Sequence, residues 1–139
     1  IYATILAYLK LQPIGYTFPD SVSYVLFDDT DGSFISHERQ KIFPEKIMIP
    51  PDLAIEVVSP SNRPRQMLNK IDLYLQSGTQ LVWVIYPDEQ VADVYRMDED
   101  GRLISRKLTL NDSFDGEDVL PNFKLALKEI FPPSLLPRP

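Results

Sequence analysis

Residues 51–61 read PDLAIEVVSPS, an apolar stretch rich in β-branched side chains. This composition predicts a β-strand over 52–58. Side chains alternate between the two faces of a strand. One face would carry Leu53, Ile55 and Val57, and the other Asp52, Ala54, Glu56 and Val58. Since both faces are largely apolar, we expect this strand to be buried within a sheet.

A helix and a second strand should follow. Pro64 is tolerated in a first helical turn, and Gly78 is well placed to end the helix. The apolar residues between them recur at helical spacing: Met67, Leu68, Ile71, Tyr74 and Leu75. Residues 81–85 read LVWVI, as expected for a strand buried on both faces. The spacing therefore predicts a βαβ unit whose two strands are parallel and joined right-handedly.

The rest of the chain completes an α/β pattern. The predicted elements are a helix over 1–11, strands over 14–18, 22–27, 33–36, 91–96 and 103–110, and a short helix over 123–131. We expect a central mixed sheet flanked by helices, with C-terminal hairpins. Residues 1–131 should form a single domain, and 132–139 a proline-rich tail. The chain opens without methionine inside a predicted helix, so we expect it to lack its true N-terminus.

The composition restricts the functional classes. The 139 residues include no cysteine and one histidine, which excludes disulfides and argues against a zinc site or a histidine-based triad. No run reaches transmembrane length, so we expect no membrane partner and a cytoplasmic location. The net charge of −6 argues against a broad phosphate-binding surface. It does not exclude nucleic acid, because divalent cations can neutralise carboxylates.

Glu56 is the residue that points to chemistry. A carboxylate within an apolar strand is costly to bury unless a cation of the protein or a metal ion binds it, and the sequence leaves both alternatives open. Asp52 is four residues away, roughly 13 Å along the strand, too far to share one ion. We expect Asp52 to be structural, bonding backbone where the strand begins.

Asp31 and Lys70 are the partners that the spacing offers to Glu56. Asp31 leads into the short strand at 33–36, which would run beside 52–58. Lys70 lies about 100° from the centre of its helix's apolar stripe, a flank from which its long side chain can deliver the ammonium sideways. Taken singly, Asp31 is more typical of a solvated turn and Lys70 of a protein surface. Together with Glu56 they suit metal-assisted phosphodiester hydrolysis.

Several segments carry a resemblance to a known family. They are PDLAIEVVSPS at 51–61, KIDLYLQSG at 70–78, LVWVIYP at 81–87 and VLPNFKL at 119–125, followed by Ile130 and Phe131. With these segments the chain resembles the Uma-type putative restriction endonucleases of the PD-(D/E)xK nuclease superfamily. The resemblance covers nearly the whole chain.

The resemblance implies a restriction-endonuclease-like fold and a Mg²⁺-dependent endonuclease that hydrolyses DNA phosphodiester bonds, with Mn²⁺ as a substitute ion. It leaves a homodimer open. The family's acidic residue of the second strand falls on Asp31, and its glutamate on Glu56. The usual lysine two residues later is Val58 here, and the resemblance implies that it has moved to Lys70. Asp31, Glu56 and Lys70 are thus the predicted catalytic residues, with Asp31 and Glu56 as metal ligands.

The chain departs from the family pattern at three positions. Gln66 stands where relatives often carry an acidic residue, one turn before the helical lysine. Tyr86 replaces a usual aspartate, and Thr30 replaces the usual proline before Asp31. Together with the net charge of −6, the departures at Gln66 and Tyr86 support an alternative. In that alternative the chain is a catalytically inactive nuclease-fold protein that binds nucleic acid or a protein partner.

Overall fold

A computed structural model of the chain describes residues 1–18, 31–40 and 49–131. The elements are α1 (Tyr2–Leu11), β1 (Gly15–Phe18), β2 (Gly32–Ser36), β3 (Leu53–Val57), α2 (Pro64–Gln76), β4 (Leu81–Tyr86), β5 (Val91–Met97), β6 (Leu103–Leu108), β7 (Ser113–Asp115) and β8 (Lys124–Ala126). The predicted strand over 22–27 and the predicted tail over 132–139 lie outside the described residues. Within these ranges, neither helix is long and apolar enough to cross a membrane.

Six strands form one mixed sheet in the order β1-β2-β3-β4-β5-β6. Strands β3 and β4 are parallel, and every other neighbouring pair in this sheet is antiparallel. Helix α2 connects the parallel pair, which confirms the strand–helix–strand unit expected from the sequence. Strands β7 and β8 form a separate antiparallel ribbon. The α/β class and the mixed sheet are as predicted.

The sheet carries an apolar core on each face. The first core contains Ile5 and Leu9 of α1 together with Leu53, Ile55, Trp83 and aromatic residues of the C-terminal segment. The second contains Met67, Ile71, Tyr74 and Leu75 of α2 together with Ala54, Val82 and Val84. The alternation predicted for residues 52–58 therefore places successive β3 side chains in the two cores. Burial of apolar area on both faces is the main term that stabilises this arrangement.

Helix α2 ends where the sequence predicts and buries most of the predicted stripe. Its last helical residue is Gln76, and Gly78 adopts φ of 108°, a conformation that glycine enters without steric cost. Leu68 is the exception in the stripe, because 54% of it is exposed. The helix thus presents its buried side to β3, β4 and β5, and Lys70 lies on the edge of that side.

The predicted helix over 123–131 is wrong. Residues 124–126 form β8, and Leu127–Ile130 make a single 3₁₀ turn. Phe123, Leu125 and Leu127 are all buried, while Lys124 is exposed. This repeat of two residues suits a strand, whereas a helix would rotate successive members of the set away from one another.

Candidate active site

Glu56 lies at the fourth position of β3, on the sheet face that α2 covers. Only 3% of the residue is exposed, and its neighbour on β4 is the apolar Val84. Burial removes the carboxylate from water and so raises the pKa of Glu56. Hydrogen bonds from Lys70 and Tyr74 act in the opposite direction. Burial is the larger effect, so Glu56 holds a proton more readily than an exposed glutamate.

Two donors from α2 meet the carboxylate of Glu56. The ammonium of Lys70 lies 2.9 Å from Oε1, and the hydroxyl of Tyr74 donates to the same oxygen at 2.8 Å. Positions 70 and 74 are one helical turn apart and therefore lie on the same side of α2. The sequence-based expectation that Lys70 delivers its ammonium to Glu56 is met.

Asp31 reaches the same region from the start of β2. Strand β2 pairs with β3 in antiparallel fashion, with Gly32 opposite Ile55. The backbone amide of Val57 donates to Asp31 Oδ2 at 2.7 Å, and this bond fixes the carboxylate beside the residue that follows Glu56. The negative charge of Asp31 contributes to the raised pKa of Glu56. The neighbouring acidic residues Asp28 and Asp29 lie outside the described residues.

The three predicted residues line one cleft of about 740 Å³. Its polar walls also include Ser59, Asn62, Gln66 and Asn69, and its apolar walls include Val57, Met67 and Leu73. Gln66, which stands in place of the acidic residue of relatives, is therefore part of the cleft. The structure thus brings Asp31, Glu56 and Lys70 together. The side-chain amide of Gln66 lines the same cleft, at the position where relatives often carry a carboxylate.

A second cavity, of about 620 Å³, lies on the α1 side and shares Asp31 and Val57 with this cleft. Its walls are mostly apolar and include Ile5, Phe18 and Phe131. Neither Glu56 nor Lys70 lines it. The ionisable groups that chemistry would need are in the α2-side cleft, which we therefore take as the candidate active site.

Asp52 has the structural role expected from its position. Its Oδ1 lies 2.9 Å from Arg39 Nε, and its Oδ2 accepts a hydrogen bond from the backbone amide of Ser36 at 2.6 Å. Asp52 is 3% exposed and precedes β3, at the opposite end of the strand from the cleft. It joins the end of β2 to the beginning of β3.

Tyr74 is the site residue that the sequence did not reveal. Its place in the apolar stripe indicated a core residue, and it is completely buried. Its hydroxyl nevertheless bonds Glu56. The available signal was its position four residues after Lys70, since side chains at that spacing reach the same neighbour.

Comparison with known proteins agrees with this architecture. A crystal structure of a putative nuclease from Anabaena variabilis ATCC 29413 has the same fold, with a TM-score of 0.79. The two sequences are 24% identical, and the match covers 97% of this chain and 77% of the other. Among curated proteins, none matches this chain.

The family follows from the sequence of the chain. Residues 1–128 match the model of the Uma2 family, whose description is "Putative restriction endonuclease". The chain belongs to this family, and the resemblance inferred from the motifs is confirmed.

Proposed function

We propose that this chain is a Mg²⁺-dependent endonuclease that hydrolyses phosphodiester bonds of DNA. The observation that carries the proposal is the arrangement around Glu56. A carboxylate buried in the middle of a strand faces Lys70 in a cleft that Asp31 also lines. Membership in a family whose description is "Putative restriction endonuclease" supports the reaction class.

Asp31 and Glu56 would hold the Mg²⁺ ion, and their surroundings fit it. Mg²⁺ is bound through one or two carboxylates and keeps several waters, for which the cleft has room. Lys70 and Tyr74 both bond Oε1 of Glu56, and Val57 bonds Oδ2 of Asp31, so these bonds do not involve the second oxygen of either carboxylate. A cation would also relieve the repulsion from Asp31 that helps to raise the pKa of Glu56.

A bound Mg²⁺ ion would polarise the scissile phosphate and acidify a water. Among the described residues, no cluster of three or more His, Asp or Glu side chains could hold a metal ion. The proposed pair of carboxylates is therefore of the kind that leaves most coordination positions to water and substrate. Mn²⁺, which also prefers oxygen ligands, should substitute for Mg²⁺.

Lys70 would act on the substrate. Its side chain is 22% exposed at the wall of the cleft, so a phosphate that enters can reach the ammonium. There the ammonium can orient the attacking water and neutralise negative charge that develops on the phosphate. The proposal places the protein in the cytoplasm. A homodimer would present two copies of the site, one for each strand of a duplex.

A DNA-cleavage assay tests the proposal. The full chain should nick plasmid DNA with Mg²⁺ or Mn²⁺ and be inactive with chelator. Glu56→Gln should lose both cleavage and most metal binding, because it replaces an anionic carboxylate with a neutral amide, a much weaker ligand for Mg²⁺. Lys70→Met should cleave DNA about 100-fold or more slowly yet still bind the metal ion. The reason is that the ammonium of Lys70 stabilises the transition state and does not hold the ion.

Lys107→Met is the matched control for the lysine variant. Lys107 lies on β6 and is exposed. Its replacement by methionine is the same change of side chain as at position 70 and removes the same positive charge. We expect Lys107→Met to cleave at the rate of the unmodified protein. Equal rates for Lys70→Met and the unmodified protein would contradict the role given to Lys70.

One observation favours the alternative of a binding module. Lys70 and Tyr74 already compensate the carboxylate of Glu56 within the protein, so its burial does not require a metal. Mn²⁺ binding without cleavage of any single- or double-stranded DNA or RNA would support an inactive nuclease-fold protein that binds nucleic acid or a partner. Cleavage that depends on Glu56 and Lys70 would exclude it.

A further inference from the structure

Tyr74 places a polar group inside the core between α2 and the sheet. The residue is 0% exposed, and its ring belongs to the same core as Ile71 and Val84. Its hydroxyl donates to Glu56 Oε1 at 2.8 Å. A phenylalanine would fill the same apolar space, so the hydroxyl contributes the contact with Glu56 and not the packing.

The two donors to Oε1 differ in their freedom to move. Lys70 reaches Glu56 through a long flexible side chain that is 22% exposed. Tyr74 has two rotatable side-chain bonds, and a closely packed interior holds its ring. A phosphate that enters the cleft can therefore draw the Lys70 ammonium away from Glu56, whereas the Tyr74 hydroxyl stays in place.

We infer that Tyr74 is a positioning residue for Glu56. Its hydroxyl holds Oε1 against α2, so that Oε2 remains available to the cation when Lys70 turns to the substrate phosphate. The inference rests on the proposed function, because it gives Tyr74 a task within the proposed metal site. Without the hydroxyl, Glu56 would lose its fixed anchor, and the divalent ion would bind a carboxylate that is free to rotate.

Titration calorimetry with Mn²⁺ alone on the full chain tests this inference. Groups that orient a metal ligand typically contribute 10- to 100-fold in metal affinity, so we expect Tyr74→Phe to bind Mn²⁺ about 10-fold more weakly. The half-saturating Mn²⁺ concentration for DNA cleavage should rise by a similar factor. The KM for DNA should not change, because Tyr74 is buried away from the substrate.

Tyr95→Phe is the matched control. Tyr95 is 8% exposed in the same core, and its hydroxyl bonds Asp93 Oδ2 at 3.3 Å instead of Glu56. Both variants remove one mostly buried hydroxyl, so a general loss of stability would affect them alike. We expect Tyr95→Phe to bind Mn²⁺ as the unmodified chain does.

The outcomes separate this inference from the proposed function. If Tyr74→Phe binds Mn²⁺ like the unmodified chain, or does not fold, the hydroxyl is structural and the inference is overturned. Weakened binding by Tyr74→Phe but not by Tyr95→Phe supports it. If Glu56→Gln binds Mn²⁺ as well as the unmodified chain does, the proposed metal site itself is wrong, and the inference fails with it.

Discussion

Replacing Lys70 with methionine should destabilise the protein, and more strongly at pH 8 than at pH 5. The change removes the ammonium that lies 2.9 Å from Glu56 Oε1 and keeps an unbranched side chain. The side chain of Glu56 is only 4% exposed, so its charge would lose its cationic partner in the interior. Removing one member of a buried ion pair costs roughly 3–5 kcal/mol. For Lys70→Met we expect the free energy of unfolding to fall by about 3 kcal/mol at pH 8, the low end of this range. Lys70 is partly exposed, so water can replace part of its interaction with Glu56.

The pH dependence follows from the pKa of Glu56. Burial raises this pKa above its ordinary value of 4.5, and Lys70 lowers it in part. Without Lys70 the pKa of the folded state rises further. The relevant pH window lies between the Glu56 pKa of the unfolded state and that of the folded state. In this window Glu56 holds a proton in the native state and has released it in the unfolded state, so the free energy of unfolding falls as the pH rises. The loss of stability in Lys70→Met should therefore be smaller at pH 5 than at pH 8. The difference should be about 1.4 kcal/mol for each pH unit by which the variant raises the pKa of Glu56 further.

Urea unfolding at the two pH values measures this effect. The exposed Lys107→Met variant serves as control and should change the free energy of unfolding little at either pH. Combining Lys70→Met with Glu56→Gln should abolish the pH dependence, since the titrating carboxyl is gone. An equal loss at pH 5 and pH 8 for Lys70→Met would refute the reasoning, because the ammonium would then have no influence on the ionisation of Glu56.

Three further changes test the structural account by thermal or urea unfolding. Asp52→Ala should lower the free energy of unfolding by about 3 kcal/mol, because it leaves Arg39 without its buried partner. Cleavage per folded molecule should persist, and its loss in folded protein would contradict the structural role of Asp52. Gly15→Ala should destabilise by at least about 1 kcal/mol, because a Cβ would overlap the carbonyl oxygen of Ile35 on the paired strand; unchanged stability would contradict that pairing. Phe114→Ala should cost about 3–5 kcal/mol, since the ring is completely buried; a loss below 1 kcal/mol would place the ring outside the core.

The central part of the fold was predictable because its signals are local. The β-branched run at 52–58, the helical stripe and the apolar run at 81–85 each match the period of one element, and the structure contains β3, α2 and β4 there. The same periods placed Glu56 on the strand face that also carries Ala54, and Lys70 on the flank of its helix, and in the structure the two side chains meet. Site geometry that depends on periodicity alone could therefore be derived.

The rest depended on contacts between distant segments. Residues 123–131 suggested a helix by composition, but pairing with β7 and burial of alternate side chains made 124–126 a strand. The contact between Tyr74 and Glu56 depends on the angle at which α2 crosses β3, and spacing along α2 does not give that angle. The place of Asp31 depends likewise on the register of β2 against β3, and the long connection over 37–52 separates these strands in sequence.

The metal site is the central claim, and crystals of the full protein soaked with Mn²⁺ test it most directly. The account predicts an anomalous peak in the α2-side cleft, about 2.1 Å from one oxygen each of Asp31 and Glu56, with Tyr74 still bonded to Glu56 Oε1. A cleft without a peak at saturating Mn²⁺, with Lys70 still paired to Glu56, would contradict the metal site and with it the proposed reaction.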